Sequence, residues 1–150
     1  MKYYALFLTG ALCLTACSES HHVLDEQVEK CANAFAEAYF NYEFMEARER
    51  VTPESEKWLR FAASNMTQED IDMLNAKSVP ATTAVNDITT VDDTTAIAVV
   101  EVKDFLQKDS IGKAGSIVDE ATFALTVVKR DKEYFVRMEG LPRSERQNLD

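Results

Sequence analysis

Apolar residues recur at helical spacing from about residue 23 to residue 51, and neither glycine nor proline interrupts this segment. One apolar stripe of the predicted helix comprises Leu24, Val28, Cys31, Phe35, Tyr39 (or Ala38), Tyr42 and Met45. A second stripe beside it comprises Ala36, Phe40, Phe44, Ala47 and Val51. A helix with so wide an apolar face needs another layer of structure to cover it.

Two shorter helices are predicted to follow. Thr52-Pro53-Glu54 ends the long helix and begins another that runs to about Ser64. Threonine caps a helix, proline suits the first helical position, and glutamate favours the positive end of the helix dipole. Thr67-Gln68-Glu69-Asp70 resembles a capping box with aspartate in place of the usual glutamate or glutamine, and it predicts a third helix to about Lys77.

After Pro80 the apolar period changes to two, which predicts strands. The expected strands cover residues 82–90, 95–106, 121–127 and 134–138, and they are joined by turns and one loop at 107–116. Helices followed by antiparallel strands predict an α+β fold with the helices on one face of the sheet. Residues 142–150 are expected to form a polar, frayed C-terminal tail.

The first sixteen residues indicate a signal peptide rather than a part of the core. Met1-Lys2 supplies a positive start, and the apolar run that ends near Leu14 is much shorter than the ~20 residues that a membrane-spanning helix needs. Polar residues from Ser18 to His22 follow it. Residues 1–16 are therefore predicted to be removed from the mature protein.

Leu14-Thr15-Ala16-Cys17 resembles the lipobox of bacterial lipoproteins. The resemblance implies that Cys17 becomes the first mature residue, carries a lipid on its thiol and tethers the chain to a membrane through the polar residues 17–22. Two or more acyl chains make a stable anchor. The expected location is the cell envelope, and Ser18 after the cysteine favours the outer membrane if the cell has one. An ordinary cleaved signal with a chance cysteine is the alternative.

Composition and charge exclude several function classes for this chain of 150 residues. The formal net charge of −10 argues against a nucleic-acid partner, because a polyanion would be repelled. The only histidines, His21 and His22, lie in the expected tether, so the sequence predicts no metal site, no cofactor and no histidine-based nucleophilic triad. The lone Cys31 that remains after processing is expected to be buried and inert.

The segment "FAEAYFNYEFMEARERVTPESEKWL", followed by "TAIAVVEVKDFL" and "EATFALTVVKRDKEYFVRMEG", resembles the nuclear-transport-factor-2-like (cystatin-like) superfamily over about residues 24–141. It is most similar in layout to lipid-anchored bacterial members of unassigned function. The resemblance implies an α+β cone over residues 23–141, in which the helices pack on the concave face of a curved antiparallel sheet. It also implies that two copies could pair through their sheets. This fold hosts enzymes, binders and scaffolds alike, so function does not follow from it.

Members of the superfamily that resemble ketosteroid isomerase use a carboxylate base and tyrosine donors in an apolar pocket. The residues here that would line such a pocket are Tyr39, Tyr42, Trp58 and Asp104. Asp104 is in phase with the apolar Val100 and Val102, so it is either a pocket carboxylate or a solvated residue at the strand end. No matched pair of catalytic residues is visible, so no residue is assigned a catalytic role.

The sequence therefore favours a non-enzymatic, lipid-anchored envelope domain that binds a partner protein or a small apolar ligand through its cone. A lyase or isomerase acting on an apolar substrate in the cone, and a structural subunit of an envelope complex, remain the alternatives. Two short segments, Asp93-Thr94-Thr95 and Asp109-Ser110-Ile111, resemble the O-glycosylation site of Bacteroidetes secreted proteins, which leaves modification at Thr94 or Ser110 open.

Overall fold

The computed structural model describes the backbone of residues 16–149 and the side chains of residues 24–149. The helices are α1 (Ala16–Phe40), α2 (Phe44–Arg48), α3 (Glu56–Ser64) and α4 (Gln68–Ala76). The strands are β1 (Thr82–Asp92), β2 (Thr95–Gln107), β3 (Ser116–Arg130) and β4 (Glu133–Arg137). None of the described helices is long and apolar enough to cross a membrane. Residues 1–15 of the predicted signal peptide and the Cys17 side chain lie outside the described parts of the chain.

The four strands form one antiparallel sheet in the order β1-β2-β3-β4, and α1 lies across one face of it in contact with all four strands. Alternate residues of β2 and β3 are buried beneath α1, and buried residues of β2 lie directly opposite buried residues of β3. The buried cross-strand pairs are Ala96–Val127, Ala98–Leu125, Val100–Phe123 and Val102–Ala121. The α+β prediction, with helices on the concave face of a curved antiparallel sheet, is confirmed.

The single long helix predicted over residues 23–51 is wrong, because α1 ends at Phe40 and α2 begins at Phe44. Tyr42 adopts a left-handed conformation with φ of 63°, and its N–H donates to the Tyr39 carbonyl at 3.1 Å. The Glu43 N–H reaches back to the Ala38 carbonyl at 2.9 Å, which completes a Schellman helix end. This helix end could not be predicted from the sequence, because glycine rather than tyrosine is the usual residue in the left-handed position.

The backbone of the expected tether, residues 17–22, is helical and forms the first turns of α1. A helix rises about 1.5 Å per residue, so α1 extends for about 35 Å between its two ends. Its N-terminal end carries the predicted anchor position, and its C-terminal end carries the aromatic residues that line the cavity described below. The two features therefore lie at opposite ends of one helix.

Asp104 departs from the alternation of β2 and corrects the sequence prediction. It has a φ of 53° and is exposed, and the next inward residue is Phe105, which is only 1% exposed. Regular alternation from Val100 and Val102 would place Asp104 on the inner face and Phe105 on the outer face. A left-handed residue within a strand turns the side chains that follow it to the other face, so Phe105 rather than Asp104 faces the helices.

The C-terminal segment packs against the sheet, whereas a frayed tail was expected. Ser144 is completely buried and pairs with Phe123 of β3, while the Glu145 N–H donates to the Thr122 carbonyl at 3.0 Å. The Gln147 side chain accepts a hydrogen bond from the Ser144 N–H at 2.9 Å. Residues 140–147 thereby form one wall at the end of the cone.

The two edges of the sheet differ in whether another segment of the chain pairs with them. Residues 50–52 run parallel to β4, with the Thr52 N–H donating to the Val136 carbonyl at 3.0 Å and the Val136 N–H donating to the Arg50 carbonyl at 2.8 Å. The buried Ser55 hydroxyl fixes this segment further, because it accepts the Met138 N–H at 2.8 Å. On the opposite side, β1 has no strand beyond it among the described residues.

Candidate functional site

A cavity of about 400 Å³ opens at the end of the cone, between the C-terminal end of α1, α3, the end of β2 and residues 140–147. Its floor contains three phenyl rings, those of Phe40, Phe105 and Phe123. The ring centroids of Phe40 lie 4.5 Å from Phe123 and 5.3 Å from Phe105, and the rings meet at steep angles. Such tilted contacts between aromatic rings are favourable, so the cluster forms a rigid apolar surface.

Two tyrosines predicted from the sequence, Tyr39 and Tyr42, also line this cavity. The Tyr42 hydroxyl donates to the Leu106 carbonyl at 2.9 Å, and the Tyr39 hydroxyl is not among the described buried polar atoms that lack a partner. Burial raises the pKa of both phenols, and the closeness of Tyr42 raises the pKa of Tyr39 further. Both hydroxyls therefore stay protonated at neutral pH and act as donors.

A buried carboxylate holds one side of the cavity rim in place. Asp70 is completely buried at the start of α4, where its carboxylate accepts the Thr67 N–H at 2.8 Å and completes the capping box predicted from the sequence. The same carboxylate accepts the Gly115 N–H at 2.7 Å and forms an ion pair with Lys108, which lines the cavity. Asp70 thus connects α4 to both ends of the loop between β2 and β3.

Burial and hydrogen bonding shift the pKa of Asp70 in opposite directions. Burial on its own would raise the pKa, because it disfavours the charged carboxylate. Hydrogen bonds from Gly115, Lys108 and Thr67 outweigh that effect and hold the pKa of Asp70 well below its usual range. The carboxylate is therefore ionised at neutral pH and serves as a fixed anchor for the loop.

Gly115 shows how closely the loop must approach β2. A Cβ atom at this position would lie 2.4 Å from the Gln107 carbonyl oxygen, which belongs to the backbone and cannot rotate away. Only glycine leaves room for that approach while its N–H reaches Asp70. Asp70 was recognised from the sequence as a helix cap, but nothing there indicated Lys108 or Gly115 as its partners, because they lie 38 and 45 residues away in sequence.

Four other polar side chains of the rim are bound to one another. Asp109 accepts hydrogen bonds from the side-chain amides of Gln107 at 2.7 Å and Gln147 at 2.9 Å. The Arg143 guanidinium donates to the Gln147 carbonyl. Gln147 therefore joins the β2–β3 loop to the C-terminal segment across the mouth of the cavity.

The other two residues proposed from the sequence do not line the cavity. Asp104 is exposed for the reason given above, and Trp58 lies on α3 against the core with a buried indole N–H that has no partner among the described residues. Asp109, at the rim, is the one carboxylate among the described residues that line the cavity. The structure thus brings together Tyr39 and Tyr42. The Asp70 carboxylate is close enough to raise the pKa of Tyr42, but Asp70 does not line the cavity.

Cys31 lies on the far side of α1, where it is buried and donates its thiol to the Tyr134 carbonyl at 3.2 Å. Burial raises the pKa of this thiol to about 11, although the Arg50 charge partly opposes the effect. The thiol is accordingly protonated and poorly nucleophilic at neutral pH, as expected from the sequence. Thr94 and Ser110 are both exposed in turns or loops.

No family model matches the chain, and no curated protein matches it. Among solved structures, it is similar to an NTF2-like protein involved in plasmid conjugation, with 14% identity and a TM-score of 0.41 over 81% of this chain. The chain spans only 48% of that protein. It is also similar to a protein from Xanthomonas campestris described as a calcium/calmodulin dependent protein kinase II association domain, with 16% identity and a TM-score of 0.39 over 93% of this chain and 96% of that one.

Proposed function

We propose that this protein is a non-catalytic binding domain of the cell envelope, which takes up a small apolar ligand in the cavity and is anchored by a lipid on Cys17. The cavity itself carries the proposal. Its volume of about 400 Å³ lies within the range of small-molecule sites, and it combines an aromatic floor with a few polar groups at the rim.

The packing around the cavity supports a binding role. Protein interiors are close-packed, yet the three phenyl rings of the floor leave an open space beside them rather than filling it. Phe61 and Ile111 also line the space, and they are 36% and 73% exposed. Large apolar side chains that remain exposed at the mouth of an apolar cavity are typical of a surface that is covered when a ligand binds.

A lyase or isomerase is less well supported than a binder. Such chemistry needs a base within hydrogen-bond reach of the substrate. Asp104 was the candidate for that base in the sequence. It is exposed and lies outside the cavity, so it does not support this role. Asp109 lies at the rim, and its carboxylate already accepts hydrogen bonds from two side-chain amides.

Filling the cavity tests whether it is the binding site. The probe is N-phenyl-1-naphthylamine, a neutral fluorophore that brightens in apolar surroundings. Ala62 lines the cavity and is nearly buried, so Ala62→Phe should fill it and weaken probe binding about tenfold or more, the loss expected for roughly 1.4 kcal/mol of lost burial. The measurement is a fluorescence titration of the purified domain.

The neighbouring residue supplies the matched control. Ala63 lies next to Ala62 on α3 but is exposed, so Ala63→Phe should bind the probe as the parent protein does. If Ala62→Phe and the parent protein bound the probe equally well, the cavity would not be the binding site.

The anchor is tested on the full-length chain. Cys17→Ser should move the protein from the membrane fraction to the soluble fraction, because the thiol that would carry the lipid is lost. Cys31→Ser, which removes the other cysteine of the mature chain, should leave the protein in the membrane fraction. A Cys17→Ser protein that stayed with the membrane would contradict the proposed anchor.

A further inference from the structure

We infer that a second cavity of this protein binds the phosphate group of a small molecule or of a lipid. The cavity is a polar groove of about 290 Å³ between α1, residues 49–50 and the turn that joins β3 to β4. It shares no lining residue with the apolar cavity described above. The inference therefore depends neither on the proposed apolar ligand nor on the anchor.

Three basic residues from three parts of the chain line the polar groove: Lys30 of α1, Arg50 of the segment beside β4, and Lys132 of the β3–β4 turn. None of them forms an ion pair with the residues that the structure describes. Burial raises the pKa of the Cys31 thiol on the groove wall, and the Arg50 charge is close enough to oppose that effect. Positive charge is thus gathered at one groove of a chain whose formal net charge is −10.

Two carboxylates, those of Glu49 and Glu133, also line the polar groove. Among the described residues neither of them forms an ion pair, so they do not hold the three cations directly. The cations outnumber the carboxylates, and an anion is therefore favoured in the groove. The carboxylates lower the affinity for that anion, which gives a test with two opposite directions.

Lys132 occupies a backbone position that favours glycine. Asp131 and Lys132 both have positive φ, of 49° and 72°, as in the two-residue hairpin turns where asparagine and glycine are usual. Left-handed residues other than glycine cost conformational free energy, and they cluster at ligand-binding and active sites. The turn therefore places a cation at the groove where the backbone conformation alone would favour glycine.

A phosphate group suits the polar groove better than a carboxylate does. It carries about two negative charges and three strong acceptor oxygens, so it can contact three cations at once. The planar guanidinium of Arg50 would donate two parallel hydrogen bonds to phosphate oxygens, whereas each lysine would act as a point charge. Gln27 also lines the groove, and its side-chain amide is a further possible donor.

The probe is inorganic phosphate, titrated into the Cys17→Ser protein at constant pH and ionic strength while backbone amide NMR signals are followed. Signals of residues 49–50 and 132–135 should shift in a saturable manner. Arg50→Ala should weaken phosphate binding about tenfold, because a charged bidentate donor is lost, and Arg50→Lys should weaken it less. Glu133→Gln should strengthen binding about twofold, because a like charge is removed.

The controls separate a specific site from general attraction between charges. Only the backbone of Arg50 bonds to β4 within the described chain, so Arg50→Ala should unfold at the same temperature as the parent protein. Lys113 is an exposed lysine of the β2–β3 loop outside the polar groove, and Lys113→Ala should bind phosphate as the parent does.

Vesicles identify the source of the phosphate group. If it belongs to a lipid, phosphatidylcholine vesicles that contain phosphatidic acid should retain the Cys17→Ser protein, vesicles without it should not, and Arg50→Ala should abolish retention. Binding of inorganic phosphate without retention by either vesicle would assign a soluble phosphorylated molecule. An absence of saturable shifts, or equal phosphate affinity of the parent and Arg50→Ala, would overturn the inference and leave the proposed apolar site unaffected.

Discussion

Replacing Asp70 by asparagine is expected to lower the free energy of unfolding by about 3 kcal/mol at pH 7. This is the cost of removing one charged partner of a buried ion pair while the other stays in place. The asparagine amide would place donor hydrogens against Lys108 or against the Gly115 N–H, both of which now donate to the carboxylate. Lys108, whose side chain is only 15% exposed, would lose its counter-charge and keep only its hydrogen bond to the Lys113 carbonyl. Chemical denaturation followed by circular dichroism measures the change.

Asp72 provides the matched control for this variant. It lies on the same helix but is exposed and contacts only Gln68, so Asp72→Asn should change the free energy of unfolding by less than about 0.5 kcal/mol. If Asp70→Asn cost no more than Asp72→Asn, the ion pair with Lys108 would not hold the loop in place.

The same carboxylate sets a pH dependence. The folded-state pKa of Asp70 lies below its ordinary value of 3.8, so its contribution to stability is complete well above that pH. The contribution is lost as the pH falls through 3.8 toward the folded-state pKa. The parent protein should therefore lose stability more steeply than Asp70→Asn between about pH 5 and pH 2.

Replacing Phe123 by alanine is expected to cost about 4 kcal/mol of unfolding free energy, within the range seen for buried phenylalanines. Phe123 is 2% exposed and contacts both Phe40 and Phe105, so its removal leaves two rings without their shared neighbour. Its pairing with Ser144 is made by the backbone and is kept in the alanine variant, so the expected loss comes from the side chain. Denaturant unfolding is again the measurement.

Phe61 gives the comparison for Phe123, because it lines the same cavity from α3 but is 36% exposed. Phe61→Ala should cost about 1–2 kcal/mol, less than Phe123→Ala, since about a third of its surface stays exposed in the folded protein. Similar losses in the two variants would mean that the phenyl cluster is not a part of the core.

The order and type of the elements could be predicted from hydrophobic periodicity, because α1 and the alternating strands β2 and β3 each bury one regular face. The exceptions arise where a single residue takes a left-handed conformation without being glycine. Tyr42 ends α1 in this way, and Asp104 turns Phe105 inward. Neither effect has a local sequence signal, because the contacts that stabilise each conformation come from residues distant along the chain.

The residues of the candidate site also differ in whether a local sequence pattern reveals them. Tyr39 and Tyr42 were found because they follow the apolar stripe of α1 to the end that faces the cavity. Asp70 was found only as a helix cap, which is a local pattern, whereas its bonds to Lys108 and Gly115 depend on where the sheet brings a distant loop. The C-terminal segment was misjudged because it is polar, although its backbone pairing buries Ser144.

The unequal edges of the sheet limit how copies of this protein could associate strand to strand. On the β4 side, residues 50–52 occupy the hydrogen-bonding positions, and this three-residue segment is too short to template another strand. Among the described residues, β1 is left as the one long edge able to pair. Two copies joined through β1 would each have used that edge, so such association would stop at a pair and could not grow into a fibril.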